Sequence, residues 1–263
     1  MMDPALAHTY NPKKDNGSFP KLVQYKLDGV RMLWDGVSEL VSRTGKPILG
    51  LPGVANELSQ FFFGEILDGE AYSQTLTFEE ISGQVRSHSG DNEAIKFVVF
   101  DKQLPVSNYT RQAYLNLCKC LTLQRIEFLD AQYVANPLEI EPLLYKALEL
   151  GSEGLILRDP RAPYVGGRTR NLLKVKTTRL VDVRIHSCFQ GQGRLSNTLG
   201  SIICILDEGI GVSVGGGFTD EQRDQLWEQR DTLPDRVITI KFQELTRYGV
   251  PRFPIFVGFR DEP

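Results

Sequence analysis

A lysine at the end of an apolar strand invites a chemical explanation. Lys26 closes the run Leu22-Val23-Gln24-Tyr25 and is followed by Leu27-Asp28-Gly29-Val30-Arg31. Residues two apart on a strand share a face, so Gln24 and Lys26 point together while Val23, Tyr25 and Leu27 turn to packing. Gly29 permits a sharp change of direction just after the lysine, and Arg31 adds a forked cation nearby. An amine fixed in this way is a candidate nucleophile. The plainer alternative is a charged hairpin end, because Asp-Gly also marks a turn.

Other residues along the chain pose the same choice. Ser42-Arg43-Thr44-Gly45-Lys46 is either a solvated loop or a phosphate grip, with arginine and lysine cations beside exposed backbone N–H groups. In Leu67-Asp68-Gly69-Glu70 the two carboxylates share one face, which is costly unless a cation, a sugar hydroxyl or a metal meets them. Phe100, at the end of Phe97-Val98-Val99-Phe100-Asp101, fits a core or a base-stacking role. Glu153 stands at the mouth of the apolar strand Gly154-Leu155-Ile156-Leu157-Arg158. Lys174 and Lys176 alternate with Leu173 and Val175, so both ammonium groups lie on one face, either in solvent or around a polyanion. His88 is one of three histidines, none paired at metal spacing, and receives no catalytic role.

The elements that must position these groups follow from pattern. Residues up to 18 read as an irregular arm broken by Pro4, Pro12, Asn16 and Gly17. Strands at 31–34 and 38–42 continue from Lys26 as an antiparallel meander. Helices are expected at 51–63, 78–85, 115–124 and 139–150, the last closed by Gly151. Beyond Thr178 short strands at 181–187, 201–206, 211–214 and 236–244, a helix at 219–230 and a final stretch at 250–258 suit a small β-barrel of the oligonucleotide-binding (OB) type. The expected fold is therefore α+β, with one domain over 1–178 and a second over 179–263. Composition is ordinary: 263 residues, 41% hydrophobic and 24% charged. A net charge of −3 and a pI near 5.7 do not advertise a nucleic-acid binder, but summed charge says little about a local basic groove. Four cysteines (118, 120, 188 and 204) form neither a disulfide framework nor paired zinc motifs, which fits a reducing compartment. No secretory pattern and no membrane-length apolar run are present, so a cytoplasmic protein without membrane partners is expected.

The ordered set KLDGVR, SRTGK, LDGE, FVVFD, EGLILR and LLKVK resembles the covalent nucleotidyltransferase superfamily. The segments GGGFTDEQR and FQELTRYGVPRFPIFVGFRDE are similar to the barrel domain of ATP-dependent DNA ligases. Six motifs in order are far more specific than any one of them. The resemblance implies an antiparallel-sheet adenylation domain followed by an OB-fold domain. It also implies that Lys26 attacks the α-phosphate of ATP, that AMP passes to the 5′-phosphate of a nick in duplex DNA, and that the 3′-hydroxyl displaces it. Nucleophilic attack requires a neutral amine, which Lys174, Lys176 and a bound metal would favour. By resemblance Arg31 and Glu70 hold the ribose, Phe100 stacks on adenine opposite Ile156 or Leu157, and Gln24 reads the adenine edge. Glu153, with Glu70, meets a divalent metal, Mg²⁺ or Mn²⁺. Lys174 and Lys176 hold the α-phosphate, Asp28 is the first motif's carboxylate, and Arg43 with Lys46 grips the nick's 5′-phosphate.

Three departures from the family pattern are expected to matter. Longer members end in an arginine, an acid and a lysine, whereas Arg260-Asp261-Glu262-Pro263 carries no such lysine. Arg260 and Arg252 are then the cations expected to orient pyrophosphate. The Asp207-Glu208-Gly209-Ile210 turn is too short for a DNA-encircling hairpin, and no DNA-binding domain precedes Lys26. The expectation is a minimal, monomeric ligase of bacterial or viral type. RNA ligases and capping guanylyltransferases share the lysine motif, and NAD-dependent DNA ligases use the same chemistry but carry a four-cysteine zinc site. A non-catalytic OB-type nucleic-acid-binding module would require a missing motif residue.

Overall fold

The structure, a computed structural model, describes residues 3–177, 179–206, 209–242, 245–246 and 248–260. The chain divides into two compact units, 1–176 and 177–263. The expected boundary residue Thr178, the turn residues Asp207 and Glu208, and the terminal Asp261-Glu262-Pro263 lie outside the described residues.

The first unit holds strands β1 (Ala5–Thr9), β2 (Lys21–Lys26), β3 (Val30–Trp34), β4 (Leu40–Ser42), β5 (Leu67–Tyr72), β6 (Lys96–Lys102), β7 (Ile126–Phe128), β8 (Gln132–Val134), β9 (Gly154–Arg158) and β10 (Gly167–Lys176). Its helices are α1 (Pro12–Asp15), α2 (Pro52–Phe61), α3 (Phe78–Arg86), α4 (Asn108–Cys118) and α5 (Ile140–Glu149). Two five-stranded sheets result, ordered β1-β10-β9-β2-β8 and β4-β3-β5-β6-β7. Pairing is antiparallel except for β1 with β10 and β6 with β7.

This topology corrects the meander expected around Lys26. β2 pairs with β8 and β9, whereas β3 pairs with β4 and β5, so residues 27–29 cross from one sheet to the other and form no hairpin. Gly29 makes the crossing possible: a Cβ there would lie 2.3 Å from the Ala71 carbonyl oxygen and 2.8 Å from Glu70 Cγ. The N-terminal arm is also corrected. Ala5–Thr9 is a strand whose partner, β10, lies far along the chain and leaves no local signature. Strand β4 starts later than expected because Asp35 Oδ1 collects the N–H groups of Val37, Ser38 and Glu39 into a turn. Helix α4 starts and ends earlier than its apolar spacing implied, its start set by Ser107, whose hydroxyl accepts from the Thr110 N–H.

One face of the second sheet packs on helices. Val54 and Leu58 of α2, Ile81 and Val85 of α3, and Leu115 and Cys118 of α4 bury against Met32, Trp34, Phe97 and Val99. Helix α5 sets Ile140 and Ala147 on Val23, Leu155 and Leu157 of the first sheet, and Gly151 ends it at φ +76°. Both sheets thereby keep one face free of helix packing for the chemistry-bearing side chains.

The second unit contains β11 (Arg179–Gln190), β12 (Leu199–Ile205), β13 (Gly211–Val214), α6 (Asp220–Glu228), β14 (Val237–Phe242) and β15 (Ile255–Phe259). Its sheet runs β13-β12-β11-β14-β15 around a core of Val183, Ile185, Ile202, Val214, Leu226, Ile238 and Ile240. Among the described residues the five strands of the expected OB-type barrel form an open sheet. Its outer strands meet, among the described residues, at the Gly216–Ile255 bridge, where Phe256 N–H donates to the Gly216 carbonyl. Gly217 permits this approach at φ +94°, since a Cβ would lie 2.4 Å from the Phe256 carbonyl oxygen.

Candidate active site

The two sheets of the first unit enclose a cavity whose walls follow from strand periodicity. From the first sheet come Ala5 and Ala7 of β1, Gln24 and Lys26 of β2, Ile156 and Arg158 of β9, and Leu172 of β10. Register explains the grouping: Gln24 lies opposite Ile156, Lys26 opposite Gly154, Ile156 opposite Lys174, and Arg158 opposite Leu172. The other sheet contributes Arg31, Asp68, Glu70, Phe100 and Asp101. Arg31 and Glu70 are direct cross-strand partners and therefore share a face.

Lys26 Nζ lies 2.8 Å from Glu153 Oε2, and Lys176 Nζ pairs with the same oxygen. Burial would raise the Glu153 carboxyl, but Lys26 and Lys176 outweigh it and hold the group below its ordinary value. Burial pushes the Glu70 carboxyl up to about 7; Lys26 and Arg31 oppose the rise and the Glu153 charge adds to it. Lys174 is lowered by burial and then by the neighbouring cations Lys176, Arg168 and Lys26.

Arg31 donates to Asp68 through Nε and Nη2, each at 2.6 Å, and to the Ala5 carbonyl at 3.1 Å. Burial alone would lower the guanidinium, but the Asp68 charge and hydrogen bonds hold it above its usual value. Its Cζ stands 4.6 Å from the centre of the Phe100 ring. The Tyr164 hydroxyl donates to Asp68 at 2.6 Å and accepts from the Ala5 N–H at 3.0 Å, so β1 is tied to the arginine clamp.

The cavity opens into a groove also lined by Lys26, Glu70 and Glu153, where Arg43 and Lys46 from the turn after β4 join Arg86, His88, Arg168 and Lys174. The Ser42 N–H donates to the Lys46 carbonyl and the Lys46 N–H to Ser42 Oγ, closing that turn with both basic side chains exposed. Gln24, Lys26, Arg31, Glu70, Phe100, Glu153, Lys174, Arg43 and Lys46 are thus brought to one continuous cavity and groove, with Lys176 bound to Glu153 beside them. Asp28 lies in the crossing turn, where its charge adds to burial in raising the Tyr72 phenol. Arg252 and Arg260 belong to the second unit, where Arg260 pairs with Asp182 and Arg252 lies near the Phe253 ring. Among the described residues no cluster of three or more histidine, cysteine or acidic side chains forms a ready-made metal cage.

Sequence reasoning quoted Asp101 and Arg158 as motif ends without giving them roles. Both are almost fully buried, at 1% and 2% exposure. Asp101 accepts from Arg158 Nη1 at 2.6 Å and from Arg111 Nε at 2.6 Å, forming a buried ion triad under the cavity. A charged residue ending an apolar strand was the available signal, but its partner Arg111 sits on α4 and shares no motif with it.

Residues 4–176 match the family model described as ATP dependent DNA ligase domain, and residues 190–260 match the one described as DNA ligase OB-like domain. A DNA ligase of Haemophilus influenzae is 31% identical over 261 residues, covering 97% of this chain and 91% of the relative. A solved structure from work on Lig E DNA ligases, described as binding DNA with a minimal scaffold, superposes with a TM-score of 0.85 at 26% identity, covering 99% of this chain and 100% of the other. Chlorella virus DNA ligase-adenylate superposes with a TM-score of 0.58 at 26% identity, covering 100% of this chain and 99% of the other. These matches do not favour the RNA ligase, guanylyltransferase and non-catalytic alternatives. No described helix is long and apolar enough to cross a membrane. With both of its regions matched to ligase families around a lysine-centred cavity, the chain belongs to the ATP-dependent DNA ligases.

Proposed function

We propose that this ligase seals 5′-phosphate/3′-hydroxyl nicks in duplex DNA through a lysyl-AMP on Lys26. The observation that carries the reading is the position of Lys26 Nζ, held 2.8 Å from Glu153 where the enclosed cavity meets the basic groove. In the first step the Nζ–phosphorus bond forms and the bond to pyrophosphate breaks. AMP then moves to an oxygen of the 5′-phosphate, and the 3′-hydroxyl displaces it to form the phosphodiester. The protein's part is positioning and charge compensation.

Phe100 offers the ring for adenine opposite Ile156, and Arg31 with Glu70 takes the ribose. Lys174 and Lys176 hold the α-phosphate, and Asp28 supports the turn that carries the nucleophile. Lys174, lowered by burial and by neighbouring cations, is relieved by an anion. Arg43 and Lys46, exposed in the groove, grip the nick's 5′-phosphate. Arg260 and Arg252 orient pyrophosphate, and the adenylation and OB-type domains divide near Thr178. Glu70 and Glu153 fit a divalent cation, Mg²⁺ or Mn²⁺. Both offer hard oxygen donors, and burial with mutual repulsion lifts Glu70 in a way that a cation would relieve. Such an ion, when bound, supplies charge compensation for the phosphates. The ligase acts as a monomer in this reading, and four free cysteines suit the cytoplasm.

The test is covalent labelling with ATP, GTP or NAD carrying label in the transferable nucleotide, followed by a chase with nicked DNA or nicked RNA. Label from ATP that is released on nicked DNA supports the reading. Absence of covalent label, or discharge on RNA alone, overturns it.

A further inference from the structure

The base end of the cavity holds a hydrogen-bonding pattern that the roles above leave unused. Strand β6 slips register against β5: Asp68 faces Asp101 and Gly69 faces Val99, so Phe100 is left over. A bulged residue keeps its carbonyl out of the ladder. The Phe100 carbonyl instead accepts from Gln112 Nε2 at 2.9 Å and from Gln24 Nε2 at 3.3 Å. Gln24 Nε2 also donates to Gln112 Oε1 at 3.2 Å. At its other end Gln24 Oε1 accepts from Arg158 Nε at 2.5 Å. A guanidinium only donates and a carbonyl only accepts, so the two ends of the Gln24 amide cannot be exchanged. Asp101 holds Arg158 through Nη1, and Arg158 Nη2 has no partner among the described residues. Gln24, Phe100 and Arg158 line the cavity, whereas Gln112 is not part of its lining.

We propose that Gln112 is a positioning residue for base selection. Together with Arg158 and the Phe100 carbonyl it holds the Gln24 amide, which leaves Gln24 Oε1 and Arg158 Nη2 as an acceptor and a donor side by side. That pair fits the 6-amino group and the N1 acceptor of adenine. Guanine would set its O6 against Oε1 and its N1–H against Nη2, which leaves both buried groups opposed by their own kind. The assignment rests on the nucleotide reading of the cavity given above. It goes beyond that reading in naming how the amide is held and which edge is refused.

The experiment is single-turnover covalent labelling by ATP, GTP, purine riboside triphosphate (no 6-amino group) and 1-deaza-ATP (no N1 acceptor). The parent should label faster with ATP than with either adenine analogue by roughly tenfold, the worth of one hydrogen bond. Gln112→Met removes one of the two acceptors of Gln24 Nε2 and the donor that holds the Phe100 carbonyl, which loosens the amide, so the preference for ATP over the purine analogue should fall while dependence on N1 persists. Gln112→Glu keeps an acceptor for Gln24 Nε2 and, protonated in this buried position, a donor to the Phe100 carbonyl, and should restore the 6-amino preference as pH is lowered. That rescue is one that a merely structural role would not produce. A parent that labels with none of the four nucleotides overturns the nucleotide reading itself. A parent that labels but ignores both edges overturns the base-selection assignment alone, whether or not the variants fold. A folded Gln112→Met with the parent's preference does the same.

Discussion

At the scale of single residues, the placement of Lys26 follows from several weak constraints that agree. Its strand fixes the direction of the side chain, and Glu153 fixes the amine at 2.8 Å. Lys26→Ala is expected to abolish covalent labelling while leaving the fold intact by circular dichroism, because no other amine is held in line with the α-phosphate. Robust labelling of the variant would end the nucleophile assignment. Beneath the cavity, Asp101 balances Arg111 and Arg158, both nearly inaccessible to water. Removing one member of a buried ion cluster costs about 3–5 kcal/mol, because the partners stay charged and unpaired. Asp101→Asn should therefore lower stability by that order in denaturant titrations. A loss below about 1 kcal/mol would mean that the arginines find other acceptors.

At the scale of elements, the start of α2, the loop before β6 and the start of β7 are joined by one carboxylate. Asp91 accepts from Arg125 Nη1 and Nη2 at 2.9 and 2.7 Å, and from the Gly53 N–H at 2.9 Å. The Arg125 hydrogen bonds hold its carboxyl below the ordinary value. A depressed acid stabilises the fold above its unfolded-state pKa, and that stability is lost as pH falls through the lower folded-state value. Asp91→Asn should cost about 1–3 kcal/mol at pH 7, with the gap to the parent closing as pH falls below about 4. Thermal melts of both proteins at pH 7 and pH 3 make the comparison. An equal gap at both pH values would assign the effect to packing.

At the scale of the whole molecule, a ligase must separate taking up AMP from acting on DNA. Arg43 lies in the groove, outside the enclosed cavity. Arg43→Ala should slow nick sealing by tenfold or more, about the worth of one charge-assisted hydrogen bond, while AMP uptake stays near the parent rate. Sealing should also weaken steeply with salt, since phosphate contacts release counterions. Equal loss in both steps would move Arg43 into the ATP site, and a flat salt response would argue against electrostatic DNA binding. Arg260 pairs with Asp182, whose other oxygen takes the Thr239 hydroxyl. If it orients pyrophosphate, Arg260→Ala should slow self-adenylylation far more than closure of a pre-adenylylated nick. Equal losses would make it a packing residue.

What the sequence determined by itself was the chemistry and its local carriers. Alternation of two placed Gln24 with Lys26, Asp68 with Glu70 and Lys174 with Lys176, because side-chain direction along a strand depends only on spacing. Helices α3 and α6 were legible from pattern, and the structure shows their starts closed by capping boxes, in which the Thr77 and Thr219 hydroxyls and backbone N–H groups meet Glu80 and Gln222. Only the tertiary structure decided which strands are neighbours. The Lys26 turn looked like a hairpin but crosses between sheets, and the N-terminal segment looked irregular but is a wall of the cavity beside Lys26. The bulge at Phe100, which frees a carbonyl for Gln24 and Gln112, likewise depends on how β5 and β6 pair. Pairing is set by contacts between residues far apart in the chain, and those contacts leave no periodic trace in either segment alone.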